Sequence, residues 1–264
     1  MRFEGQIFVK PLIVLLPGSI LVSFLCAQTA APGSTTAPVS ATAGTPGLYL
    51  TSAQIPPTLL RQFQALGSRV QTPGNERLSL AGTLTTSSGP SNVQIVVQLG
   101  GELNITWIAQ PSQKIVFNGT AASVTGSIPS SNDLLEALVD DLPETLMLAT
   151  GTGVRPRLLG QRFTNPAGGL CDYYDVATYG VAVRQAAPQV KRYCFDSSTS
   201  LLQTVRYINN ASQSTITQFG GWSAVSSQAA PGTITRMVGG AQIFQFQAQS
   251  ATVSASVADS TFAE

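Results

Sequence analysis

Histidine is absent from all 264 residues, which removes the commonest general base, the Ser-His-Asp arrangement and every histidine-containing metal site. Lysine occurs only at Lys10, Lys114 and Lys191, none in a phosphate-loop or Ser-x-x-Lys setting. Charge of either sign is scarce. Asp, Glu, Lys and Arg make up 10 % of the chain, against about 25 % in an ordinary globular protein, so solubility must come from Ser, Thr, Gln and Asn. With no basic excess to neutralise phosphates, nucleic acid is not expected as a partner, and an electrostatic role at an anionic membrane surface is disfavoured. The acid pairs Asp140-Asp141 and Asp172 with Asp175 could form a carboxylate site, but near-adjacent acids on a polar loop or helix are usually solvated. No catalytic residue, metal ligand or cofactor is expected.

Cysteine is also rare, at Cys26, Cys171 and Cys194. The first of these falls in a stretch that reads as an address. Arg2 and Lys10 give a basic start, Pro11 to Cys26 an apolar core broken at Pro17-Gly18, and Ala27 a small residue for cleavage. Residues 1–27 are therefore expected to be a cleaved signal peptide. A retained anchor would want about 20 unbroken apolar residues, and lipidation of Cys26 would want a small residue where Leu25 stands. Losing Arg2, Glu4 and Lys10 leaves twelve basic and twelve acidic residues, a net charge of zero. In an oxidising compartment the remaining Cys171 and Cys194 should pair, stabilising the fold by roughly 3 kcal/mol in the chain-entropy account.

Residues 28–46 are small, polar and Pro/Gly-punctuated, a composition that cannot offset the entropy of ordering, and read as a disordered tether. From Gly47 to Glu264 a single domain is expected. Leu59, Leu60, Phe63 and Leu66 have helical spacing before Gly67. Period-two alternation follows through Leu78, Leu80 and Leu84, then Val93 to Leu99, Leu103 to Trp107 and Ile115 to Phe117, with Gly100-Gly101, Gln110-Pro111-Ser112 and Asn118-Gly119 as turns. Ser130 to Leu148 breaks the pattern with a helix: Ser130 and Asp133 suggest a capping box, and Leu134, Leu135, Leu138, Val139 and Leu142 share a face. Five acids, Asp133, Glu136, Asp140, Asp141 and Glu144, read as its solvated side. Strands resume at 155–163, 171–183, 190–195, 201–208, 215–219, 233–238, 242–248 and 251–257, with Gly239-Gly240 as a two-residue hairpin loop. In the run VKRYCFD, Val190, Arg192, Cys194 and Asp196 project one way and Lys191, Tyr193 and Phe195 the other.

The fold class is mainly β, with a long series of apolar residues on one face. Periodicity is compatible both with a core packed by the helices and with a concave face over an apolar cavity. The segments KRYCFDSSTSLLQTVRY, ITQFGGW, PGTITRMVGG, IFQFQ and ADSTFAE, together with IVFNGT, resemble the outer-membrane lipoprotein-sorting (LolA-like) half-barrel family of bacterial periplasmic proteins. The resemblance spans Leu48 to Glu264 and rests on turns and strands, not on reacting groups. It implies an open antiparallel half-barrel of about 10 to 12 strands, covered by helices acting as a lid and used by non-enzymatic carriers of acyl chains. The implied cavity would be lined by Val97, Leu99, Ile105, Trp107, Phe117, Leu134, Leu138, Phe244 and Phe246. Asp133, Glu136 and Asp140 would then face water. The implied partner is a lipid or acyl chain, possibly a lipoprotein, with an envelope protein as a further candidate, and the protein is expected to be a monomer. Family carriers hold the lid with a buried arginine, for which Arg77, Arg155 and Arg157 are candidates here. The alternative is a packed exported domain that makes protein contacts and takes no small ligand.

Overall fold

Residues 55–67, 76–98, 102–146, 157–164, 170–178, 180, 189–208, 214–255 and 259–262 are described by a computed structural model, 157–164, 178 and 259–260 by their backbone alone. The expected signal peptide, the expected tether, Leu99 and Arg155 lie outside them.

The chain opens with helix α1, Pro57–Leu66, whose first-turn proline has no amide hydrogen to leave unpaired. It buries Leu59, Phe63 and Leu66 and stops at Gly67, which takes φ 69° and whose absent side chain makes room for Gln228. A meander follows: β1 Glu76–Thr86, β2 Gly89–Gln98, β3 Glu102–Trp107, β4 Lys114–Phe117 and β5 Ala122–Thr125. Helix α2, Ser131–Leu135, runs directly into a π-helical turn at Glu136–Asp140, and residues 143–146 add one further helical turn. Ser130 sits at φ 55° with no side-chain cap bond, so the expected capping box does not form.

The second run comprises β6 Arg157–Thr164, β7 Leu170–Thr178, β8 Gln189–Asp196, β9 Leu202–Tyr207, β10 Thr215–Gly220, the short hairpin β11 Ser223–Val225 and β12 Gln228–Ala230, β13 Thr233–Val238 and β14 Ala241–Ala255. A 3₁₀ turn at Asp259–Phe262 follows. Twelve strands form one antiparallel sheet in the order β5-β4-β3-β2-β1-β14-β13-β10-β9-β8-β7-β6. Its ends do not pair with each other, so the sheet is an open half-barrel. Gly239 and Gly240 have φ of 59° and 84°, as the two-residue loop joining β13 to β14 requires.

The segments 242–248 and 251–257, read separately in the sequence, belong to one strand. An irregularity in the β1–β14 pairing lets Gly82 face Ala248 and Ala81 face Ser250, leaving Gln249 as the extra residue. The bulge shifts the inward parity from Phe244, Phe246 and Ala248 to Ala251 and Val253, so a polar Gln-Ser step that resembles a turn continues the strand.

The alternating leucines, isoleucines and valines of β1 to β4 and the aromatics Tyr174, Tyr193, Phe195, Phe219, Phe244 and Phe246 make one continuous core with α1 and α2. On the other face, Val96 and Val116 are covered by Phe262, and Asn104 Nδ2 donates to the Thr261 carbonyl at 2.7 Å. Cys171 and Cys194 form the expected disulfide between neighbouring strands β7 and β8. They are diagonal partners on the face opposite the core, with Cα atoms 5.3 Å apart, and both are fully buried.

Candidate functional site

Four adjacent strands each place a polar residue at an inward position where apolar side chains are the rule. β8 supplies Lys191, two residues before Tyr193; β9 supplies Tyr207, two after Val205; β10 supplies Thr217, two before Phe219; β13 supplies Arg236, two after Ile234. Lys191 lies directly opposite Tyr207 in the β8–β9 pairing, and Thr217 directly opposite Arg236 in the β10–β13 pairing. The result is a polar row across the inner face of the sheet.

Asp141, at the end of the π-helical turn, descends into this row and is completely buried. Its Oδ1 accepts from Lys191 Nζ at 2.8 Å and from the Tyr207 hydroxyl at 2.8 Å; its Oδ2 accepts from the Thr217 hydroxyl at 2.6 Å and from Arg236 Nη1 at 2.8 Å. Four donors occupy the acceptor sites a carboxylate offers. Lys191 also donates to the Asp140 carbonyl at 3.0 Å. Arg236 reaches back along the covering segment to Glu136 and, at 3.5 Å, to Asp133. The Tyr207 ring stands beside both cations, 4.8 Å from Lys191 Nζ and 4.9 Å from the Arg236 guanidinium carbon.

Burial alone would raise the Asp141 carboxyl, but Lys191 and Arg236 outweigh it and hold the group below the usual carboxylate range. For Glu136 burial wins over the attraction of Arg236, and its carboxyl is raised. Desolvation and the neighbouring Asp141 push the Tyr207 phenol far up, so it remains a hydrogen-bond donor. The arrangement is built for holding: one carboxylate from the covering segment is gripped by two cations and two hydroxyls from the sheet.

This corrects the solvated reading of the helix acids. Asp140, Asp141 and Glu144 are buried, and Asp133 and Glu136 turn toward Arg236. The leucine face does point inward, with Leu134 and Leu138 buried. A second tie holds α1: the Thr58 hydroxyl donates to Asp172 at 2.5 Å, Arg61 Nε to Ser200 Oγ at 2.7 Å, and Gln62 Oε1 accepts the Leu202 amide at 2.7 Å. Asp172 is thus occupied with α1, and Asp175 with a two-pronged contact to Arg192 at 2.8 and 3.0 Å.

Of the residues expected to line a cavity, Ile105, Phe117, Leu134, Leu138, Phe244 and Phe246 are at most 1 % exposed, with Val97 at 9 % and Trp107 at 8 %. All belong to the core between the sheet and the helices.

No family model and no curated protein matches the sequence. Among solved structures, a LolA superfamily protein of Nitrosomonas europaea superposes with a TM-score of 0.52 at 10 % identity, covering 78 % of this chain and 96 % of that one. The fold is LolA-like. A putative outer membrane lipoprotein-sorting protein domain from Vibrio parahaemolyticus aligns at a TM-score of 0.48 and 10 % identity over 77 % of this chain and 95 % of its own. Among the described residues the buried arginine is Arg236, which was not among the sequence candidates. Arg77 instead donates to Ser254 Oγ in an exposed contact, and the side chain of Arg157 lies outside the described residues. The signal was present in TITRMV, where Arg236 shares the parity of Ile234, an arginine on the apolar side of a strand.

Proposed function

We propose that the protein is a non-enzymatic, exported carrier that takes an acyl chain or lipid between the inner face of its sheet and the segment Ser131–Leu146, which acts as a lid. The observation that carries this reading is the Asp141 clasp. A covering segment that only completed a core would be held by apolar contacts, which are cheaper to bury than charges. Here a short helix with a π-helical turn is fastened to the sheet by a compact ionic knot, above a face that is otherwise apolar. Such a knot gathers the polar hold on the segment around one carboxylate, so that opening and closing would be a two-state event. The LolA-like fold supports the reading, and Arg236 would serve as the arginine that secures the lid. No helix among the described residues is long and apolar enough to cross a membrane. Val97, Leu99, Ile105, Trp107, Phe117, Leu134, Leu138, Phe244 and Phe246 would then contact the chain once the lid lifts.

The rival is a packed domain that makes protein contacts, and the near-complete burial of the inward residues favours it. Mass spectrometry of what is extracted from the purified protein, with titration of a fluorescent fatty acid, separates the two. An acyl species in the extract, or saturable binding strengthened by Arg236→Leu, supports the carrier. An empty extract and no binding by wild type or Arg236→Leu supports the packed domain.

A further inference from the structure

The long central strand β14 is paired on both sides for only part of its length. Along one side it meets β1 from Glu76 opposite Ala255 to Thr85 opposite Gln245. Along the other it meets β13 only from Ala241 to Gln247, and the last bond on that side runs from the Ala248 amide to the Gly232 carbonyl at 2.8 Å. Beyond this, the chain before β13 leaves the sheet to form the β11–β12 hairpin. Among the described residues no strand pairs with 249–255 on that side, and Gln249, Ser250, Thr252, Ser254 and Ala255 are exposed.

Proteins usually protect such an edge with a lysine, a proline or a bulge on the open side. β14 contains no charged residue and no proline from Ala241 to Ala255; its bulge at Gln249 adjusts the pairing with β1, and a second, at Ile243, lies within the stretch already paired with β13. The exposed segment is also self-complementary. Laid antiparallel on its own copy about Thr252, it sets Thr252 against Thr252, Ser250 against Ser254 and Ala251 against Val253. The hydroxyls of both copies then form one ladder on the outer face while alanine and valine meet on the inner face. A twofold axis brings like residues together, so charge here would repel; its absence removes that obstacle. The antiparallel sense also carries each copy's β13-paired half away from the other's.

We infer that residues 249–255 are a homodimerisation edge, through which two copies join their sheets as a weak, concentration-dependent dimer in place of the monomer expected from sequence. The inference does not depend on a lipid ligand.

The test is the mass of the purified protein by light scattering and sedimentation across a wide concentration range. For wild type the mass should rise toward twice that of one chain. Thr252→Lys and Thr252→Glu should each stay at the mass of one chain, because each sets like charges face to face, and mixing the two should restore the doubled mass. Ser250→Lys combined with Ser254→Lys, both exposed positions that this register sets against each other, provides the same measurement should Thr252→Lys fail to fold. Wild type that stays monomeric throughout, a folded lysine variant that dimerises like wild type, or a lysine–glutamate mixture that stays monomeric would each overturn the inference.

Discussion

Replacing Asp141 by asparagine would test the clasp with almost no change of shape. The carboxylate is fully buried and faces two cations that are themselves 1 % exposed, Lys191 and Arg236. An amide cannot accept from all four donors, because one of its two terminal atoms is itself a donor. Lys191 would be left facing a neutral side chain, whereas Arg236 would keep Glu136 and Asp133. Removing one partner of a buried ion pair costs about 3 to 5 kcal/mol, a large share of the roughly 5 to 15 kcal/mol by which domains are stable. For a domain of this size that corresponds to a fall in Tm of about 6 to 20 °C. The loss should be non-additive. In the Asp141→Asn background Lys191→Met no longer strands a carboxylate, so its cost should shrink by about 1 to 3 kcal/mol relative to wild type. Urea unfolding of the four proteins of this cycle gives each number. A single-variant loss below about 1 kcal/mol, or strictly additive losses, would refute the claim that Asp141 holds the covering segment to the sheet.

The depressed Asp141 carboxyl sets an acid limit on the fold: its contribution is complete above the unfolded value of about 3.9 and is lost as pH falls through the lower folded value, so urea midpoints should decline on that limb for wild type and flatten in Asp141→Asn. The Cys171–Cys194 bond should leave the folded protein with neither of these thiols reactive before reduction, and the double alanine variant should lose about 2 to 4 kcal/mol in urea unfolding. Gly240→Val, at φ 84°, should cost about 1 to 2 kcal/mol, whereas a loss below about 0.3 kcal/mol would mean that the β13–β14 loop tolerates another geometry. Trp107→Asp should abolish fluorescent fatty-acid binding while Gln245→Asp, on the exposed face, should leave it unchanged; equal binding by both would remove the inner face from the site.

Much of the sheet could be read from alternation because most of its strands bury one face only. Lys191, Tyr193 and Phe195 project together as their spacing requires, and Cys194 lies opposite them, within reach of Cys171. The glycines at 239 and 240 marked their turn for a steric reason that needs no neighbours. The clasp was hidden because each of its members has an ordinary local explanation. Asp141 reads as one of five acids on a polar helix side, Lys191 as an alternating strand residue, and Arg236 falls unremarked within the strand 233–238. Only the π-helical turn that ends at Asp141, and a strand order that sets β8, β9, β10 and β13 side by side, bring them together. The hairpin β11–β12 and the bulge at Gln249 were missed for the opposite reason, since small polar residues carry little periodic signal.

The position of β14 has a consequence for the order in which the molecule can be made. The last strand of the chain sits in the middle of the sheet, with β1 on one side and β13 on the other, so Glu76 finds its partner in Ala255. The early meander can form as it emerges from a ribosome, but until β14 arrives β1 remains an open edge and Leu78, Leu80 and Leu84 lack one of their neighbours. Pairings between residues so far apart in the chain are slow to form. Closing the sheet therefore waits for β14, and truncation of the last twenty residues, which removes the stretch that pairs with β1, should be far more damaging than their polar composition suggests.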